Sequence, residues 1–198
     1  MNNRKYLLIL LVSVVIYFTG CTSSKTDEEE TKNNTEITEV DQTEGAAIIN
    51  AAQAEQDNEM YSPGVESTYL YWLDNKLINL KGSTKCNIYA LNVLYKSGFK
   101  TPTVNALTRD LVDTEKFADI LPVVGIQNID DIKKGDLIVW NGHVILFESL
   151  TKIKNDTYAI GWWAGTRQKD NGDNIKNNVC YGKYKLSGYY IVRRPVKQ

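Results

Sequence analysis

The stretch "CNIYALNVLYKSG" (86–98) carries apolar side chains at helical spacing, with Ile88, Leu91, Leu94 and Tyr95 on one stripe. Ser83 or Thr84, just ahead of it, is the expected N-cap, and Gly98 is the expected left-handed stop. Residues 46–56, "AAIINAAQAEQ", predict an earlier helix with Ala and Ile on one face. "YSPGVES" then breaks the chain, and residues 68–80 are rich in aromatics but fit neither period. Residues 105–112 and 114–121 read as two short helices, the second closed by Pro122.

Beyond residue 135 the pattern changes to that of strands. "GDLIVWNGHVILFES" (135–149) holds two apolar runs separated by Asn141-Gly142, a strong hairpin signal. Residues 157–165, 179–186 and 188–195 supply three more strands, separated by loops of Asn, Asp and Gly. Helices come first and strands follow. The expected class is therefore α+β, with N-terminal helices packed on an antiparallel sheet of about five strands.

The first residues stand apart from this body. "MNNRKYLLILLVSVVIYFTGC" opens with Arg4 and Lys5 and continues in an apolar run over 6–19. That run is too short to cross a hydrocarbon core of roughly 30 Å, so residues 1–20 read as an export signal. The ending "FTGC" resembles the lipobox of bacterial lipoproteins, although Phe18 stands where Leu is usual. The resemblance implies that Cys21 is acylated and becomes the mature N-terminus, anchoring the chain to a bacterial membrane. That membrane would be the outer one, facing the periplasm, in a Gram-negative cell, and otherwise the outer face of the cell membrane. Residues 21–44 then form a tether. From Thr22 onward it has eight acids, two lysines and no aromatic residue, too little apolar surface to offset the entropy of ordering. The body is 45–198.

Charge narrows the partners. The whole chain carries −1, the acidic segment −6 and the leader +2, which leaves +3 on the body. A body so mildly basic gives no footprint for nucleic acid. The sequence has no Gly-rich phosphate loop and no Cys/His cluster with metal-ligand spacing, so neither cofactor nor metal is expected.

Two residues carry candidate chemistry. His143, the only histidine, follows the Asn141-Gly142 turn at the mouth of a strand. Cys86 lies in the first turn of its helix, where exposed N–H groups and the helix dipole favour a thiolate. An imidazole nearby would depress the thiol further and could carry a proton to a leaving amine. Other roles for Cys86 are simple burial, or a disulfide with Cys180, the other cysteine left once Cys21 is lipidated. Trp162 and Trp163 are adjacent in a strand and face opposite ways, so one is expected in the core and the other exposed or groove-lining. Asp136 reads as a turn residue at a strand start.

"KCNIYALNVLYKSG", a helical link and then "IKKGDLIVWNGHVILF" together resemble the papain-like bacterial cell-wall cysteine hydrolases, the NlpC-type and CHAP-type amidases and endopeptidases. The resemblance spans roughly residues 46–195. It implies a papain-like fold, Cys86 as nucleophile and His143 as general base and acid. It also implies an exported monomer acting on peptidoglycan, where it cuts stem peptides or the link between sugar and peptide. Such enzymes usually hold the histidine with a third polar residue. The strand pairing expected here puts Trp163 to Gly165 opposite His143, with Thr166 and Gln168 the nearest polar candidates. An indole can only donate, so Trp163 cannot serve. Two alternatives go with this departure. One is a degenerate domain that binds wall peptides or a protein partner; the other is an acyltransferase on the same fold.

Overall fold

Helix α1 (Glu36–Glu55) begins well ahead of the expected residue 46 and takes up the end of the acidic segment. The computed structural model describes residues 36–80, 83–165 and 174–198, with side chains from Glu44 onward. The leader, Cys21 and the tether up to residue 35 lie outside the described residues. Among the described residues no helix is long and apolar enough to cross a membrane.

A 3-10 turn (Glu59–Tyr61) leads into a small hairpin, β1 (Ser67–Leu70) with β2 (Lys76–Asn79), in the stretch whose periodicity is ambiguous. Helix α2 (Cys86–Lys96) follows, starting later than a Ser83 or Thr84 cap implies. Its N-cap is Lys85, with no side-chain cap bond. Its end is as expected: Gly98 has φ 81°, Gly98 N–H donates to Tyr95 O (3.1 Å) and Phe99 N–H to Leu94 O (2.9 Å). The helix is more buried than one apolar stripe suggests, because Cys86 through Leu94 are all covered. α1 and the main sheet both pack on it, and the β1–β2 hairpin is bonded to it through Asn92.

Polar bonds fix this layer. Asn92, wholly buried in α2, accepts from Tyr71 N–H (2.8 Å) and donates to Tyr69 O and Tyr61 Oη (both 3.0 Å). Tyr61 donates onward to Glu55 (3.0 Å), which also pairs with Lys96. The 58–61 turn and the hairpin are thereby tied to the body of α2, whose first residue is Cys86.

The expected short helices over 105–121 reduce to one, α3 (Thr108–Leu111). Residues 114–121 are turns, with Phe117 at φ 58°. A competing partner explains this. Arg193 is 0% exposed, and its guanidinium donates to the carbonyls of Leu111 (2.6 Å), Asp113 and Leu121. Carbonyls wrapped around a buried cation cannot all serve a helical ladder.

The main sheet is antiparallel throughout and has six strands, one more than expected: β3 (Leu137–Trp140), β4 (His143–Ile153), β5 (Asp156–Ala164), β6 (Asn174–Lys176), β7 (Val179–Lys185) and β8 (Ile191–Arg193). The spatial order is β6-β7-β5-β4-β3-β8. Trp140 pairs with His143 across the Asn141-Gly142 loop, as the hairpin signal predicts. The class is α+β, with helices N-terminal. Alternation along the strands divides the core. Leu137, Val144, Leu146, Trp162 and Val179 face α1 and α2, while Ile138, Ile145, Trp163, Cys180 and Val192 form a second cluster on the other face. A bulge interrupts β4 between Phe147 and Ser149, and the β4–β5 ladder begins only at Leu146.

Candidate active site

Alternate residues of a strand turn their N–H groups toward one neighbour and then the other. At Val144, ahead of the start of the β4–β5 ladder, the backbone N–H meets the sulfur of Cys86 instead of another strand. The first residue of α2 thus abuts the first residues of β4, and Cys86 lies beside the peptide that follows His143. Residues 57 positions apart in the sequence meet at one junction of helix and sheet.

The thiol there is 1% exposed. Burial pushes it up from its ordinary value, against the N–H groups of Val144, Asn87 and Cys86 and the Thr84 hydroxyl, all of which favour the anion. The expectation of a depressed, thiolate-like cysteine is corrected: desolvation outweighs the helix start. Iodoacetamide is accordingly expected to label Cys86 slowly at pH 7. Labelling should accelerate as pH rises, with a midpoint above the ordinary 9.0, read by peptide mass mapping to separate it from Cys180. A plateau of fast labelling at pH 6 would mean instead that the resting thiol is already ionised.

His143 is half-buried, with Nε2 shielded from solvent. Its ring stacks on Tyr184 (centroids 4.8 Å, 21° between planes) and meets the Trp163 ring edge-on at 6.2 Å. Trp140 lies 6.4 Å away. The imidazole is therefore packed among rings of the second cluster, and the Cys86 sulfur approaches the peptide that follows it. Gly165 closes this corner, since a Cβ on it would sit 4.0 Å from His143 Cε1. Thr166 and Gln168, the expected orienters of the histidine, follow Gly165 in the chain and lie outside the described residues.

A pocket of about 180 Å³ opens beside the junction. Its walls include Tyr61, Pro63, Thr84, Lys85, Gly165 and Asn178, so it runs from the residues just before Cys86 to the glycine against His143. Lys85 went unnoticed in the sequence, where a lysine before a helix reads as a solvated charge. Tyr184 is also legible only in three dimensions.

The remaining candidates sort as follows. Trp162 and Trp163 face opposite ways, but neither is exposed. Trp162 (5% exposed) packs on Tyr181 with ring centroids 4.6 Å apart and donates to Glu148 (3.2 Å), and Trp163 is core. Cys86 and Cys180 are not joined by a disulfide and lie in different clusters, so the disulfide alternative is not realised. Asp136 is a buried brace at the turn before β3. Its carboxylate accepts from Lys133 N–H (2.8 Å) and from Arg194 (2.9 and 3.0 Å). Among the described residues no three His, Cys, Asp or Glu side chains converge as a metal site would need.

No family model matches the chain, and no curated protein or solved structure matches it.

Proposed function

We propose that the chain is a papain-like cysteine hydrolase that cleaves amide bonds in the peptides of peptidoglycan, anchored by a lipidated Cys21 to the outer side of a bacterial membrane. The observation that carries this reading is the junction itself: the Cys86 sulfur lies against the peptide after His143, beside a pocket. Cys86 Sγ bonds to the carbonyl carbon as its proton passes to the His143 imidazole. The C–N bond then breaks, and the imidazolium gives that proton to the departing amine. Water adds to the thioester, one of its protons returns through His143 to the thiol, and the acid leaves. The Cys86 N–H, at the open start of α2, is the natural donor to the oxyanion. These steps use side chains, backbone and water.

A second reading has one observation in its favour. The thiol is 1% exposed and burial keeps it protonated, as in a domain that binds wall peptides without cutting them.

Incubating the detergent-solubilised full chain with peptidoglycan of several chemotypes separates the two. The hydrolase reading expects soluble fragments whose masses, by mass spectrometry, correspond to added water at one amide bond. Co-sedimentation with the wall and no fragments would select the binding module. Absence of both would overturn the two readings together.

A further inference from the structure

Lys85 occupies an unfavourable place for a cation. It is 3% exposed, it is the N-cap of α2, and its neighbours at the helix start present N–H groups of the same electrostatic sign. Its ammonium donates to two carbonyls, Met60 O and Val65 O (2.6 Å to the latter). Among the described residues no carboxylate pairs with it, and none of those that line the adjoining pocket is acidic. Burial shifts this lysine downward from its ordinary value, and among the described residues no anion offsets it. An ammonium has three donors, and two have described acceptors. One N–H and the positive charge remain for something else.

A purely structural strap between α2 and the 60–65 loop does not need a full charge. A Gln or Met at this position would fill similar space without the cost of desolvating an ion. Buried charges in native proteins are normally paired, and here the described partners of the ammonium are two carbonyls, in a residue that lines a cavity large enough for a small acyl amino acid.

We propose that this pocket receives a carboxylate, held by the Lys85 ammonium, so that the preferred ligand is a short peptide segment with a free carboxyl group placed next to Cys86. As a statement about substrate, this rests on the hydrolase reading; as a statement about the pocket, it stands without it. Neutral polar residues that also line the pocket, Ser83, Thr84 and Asn178, can take the remaining polar atoms of such a segment.

The test is binding, measured without turnover. The ¹⁵N-labelled full chain in detergent is titrated with N-acetylglycine, with its neutral amide, and with N-acetylglutamic acid α-amide, whose only carboxylate is on the side chain. The Gly165 and Asn178 amide signals report occupancy. At least one acid should bind about ten-fold more tightly than N-acetylglycinamide, and whichever acid binds better tells a chain-terminal from a side-chain carboxylate. Lys85→Met should bring acid and amide within about two-fold of each other, and Lys85→Arg should keep a preference for acid. Near-UV circular dichroism checks the fold of both variants. Equal affinity for acid and amide in the unmutated chain, or no binding of either acid, overturns the proposal whatever the variants do. Wall digestion is read separately, so a silent pocket with active hydrolysis, or an acid-binding pocket with none, tells which of the two statements failed.

Discussion

Cys86→Ala should abolish release of wall fragments, and His143→Ala should lower it about 10³-fold. The first follows because, among the described residues, the one other cysteine, Cys180, lies in the cluster on the far face of the sheet. The second falls within the usual range for a general base, which is needed here because the resting thiol is not already ionised. With burial holding the proton on sulfur, the attack on a carbonyl has to move that proton within the same step, and without the imidazole only water is left to accept it. The residual activity of His143→Ala should then follow the thiolate. An acid whose value is raised is less ionised at neutral pH and gains anion as pH climbs, so residual rate should rise steadily from pH 7 toward and beyond the ordinary 9.0. Both variants are expected to stay folded, His143→Ala losing about 1 kcal/mol of ring packing against Tyr184. Release undiminished in either variant, measured on the same wall preparation, would remove that residue from the mechanism.

Much of this arrangement was legible before any coordinate. The Asn141-Gly142 turn, the stop at Gly98 and the strands of the C-terminal half follow from local chemistry, which acts over a few residues and leaves its mark in the order of residue types. Cys86 and His143 were legible as single positions for the same reason. What stayed hidden depends on partners far away in the chain. Residues 114–121 look helical until Arg193 claims the carbonyls around them. Thr84 looks like a helix cap, but its hydroxyl faces the Cys86 sulfur, and the cap position falls to Lys85. Cys86 looks activated by its helix until the sheet buries it. The two tryptophans alternate as strand geometry requires, yet the second core covers the one that alternation alone would expose. In each case local preference names an element, and a long-range contact decides what the element does.

Gly161→Ala tests the contact on which the site's position depends. Gly161 is in the middle of β5, opposite Phe147 of β4 and Gly182 of β7, at the bulge that bends β4. Its backbone is not left-handed, so conformation alone does not demand glycine. Space does: a Cβ there would lie 2.3 Å from Leu146 O and 3.3 Å from Leu146 C, both main-chain atoms that cannot swing aside. The variant must push β4 off β5 where the ladder starts, and the cost should be about 3 kcal/mol, or roughly 10 °C in Tm for a chain of this length. Gly125→Ala is the matched control, because nothing lies within 4 Å of its Cβ and its φ is ordinary. A Gly161→Ala melting curve no lower than the control would mean that β4 and β5 are not so close. The consequence reaches the site as well. Val144 N–H reaches the Cys86 sulfur because β4 parts from β5 just before Leu146, and the bulge with its glycine partner shapes that parting. Any Gly161→Ala protein that remains folded at low temperature should therefore show altered iodoacetamide labelling of Cys86, and Gly125→Ala should not. Close approach of two backbones in mid-sheet is in this way part of what sets the thiol beside the histidine's strand.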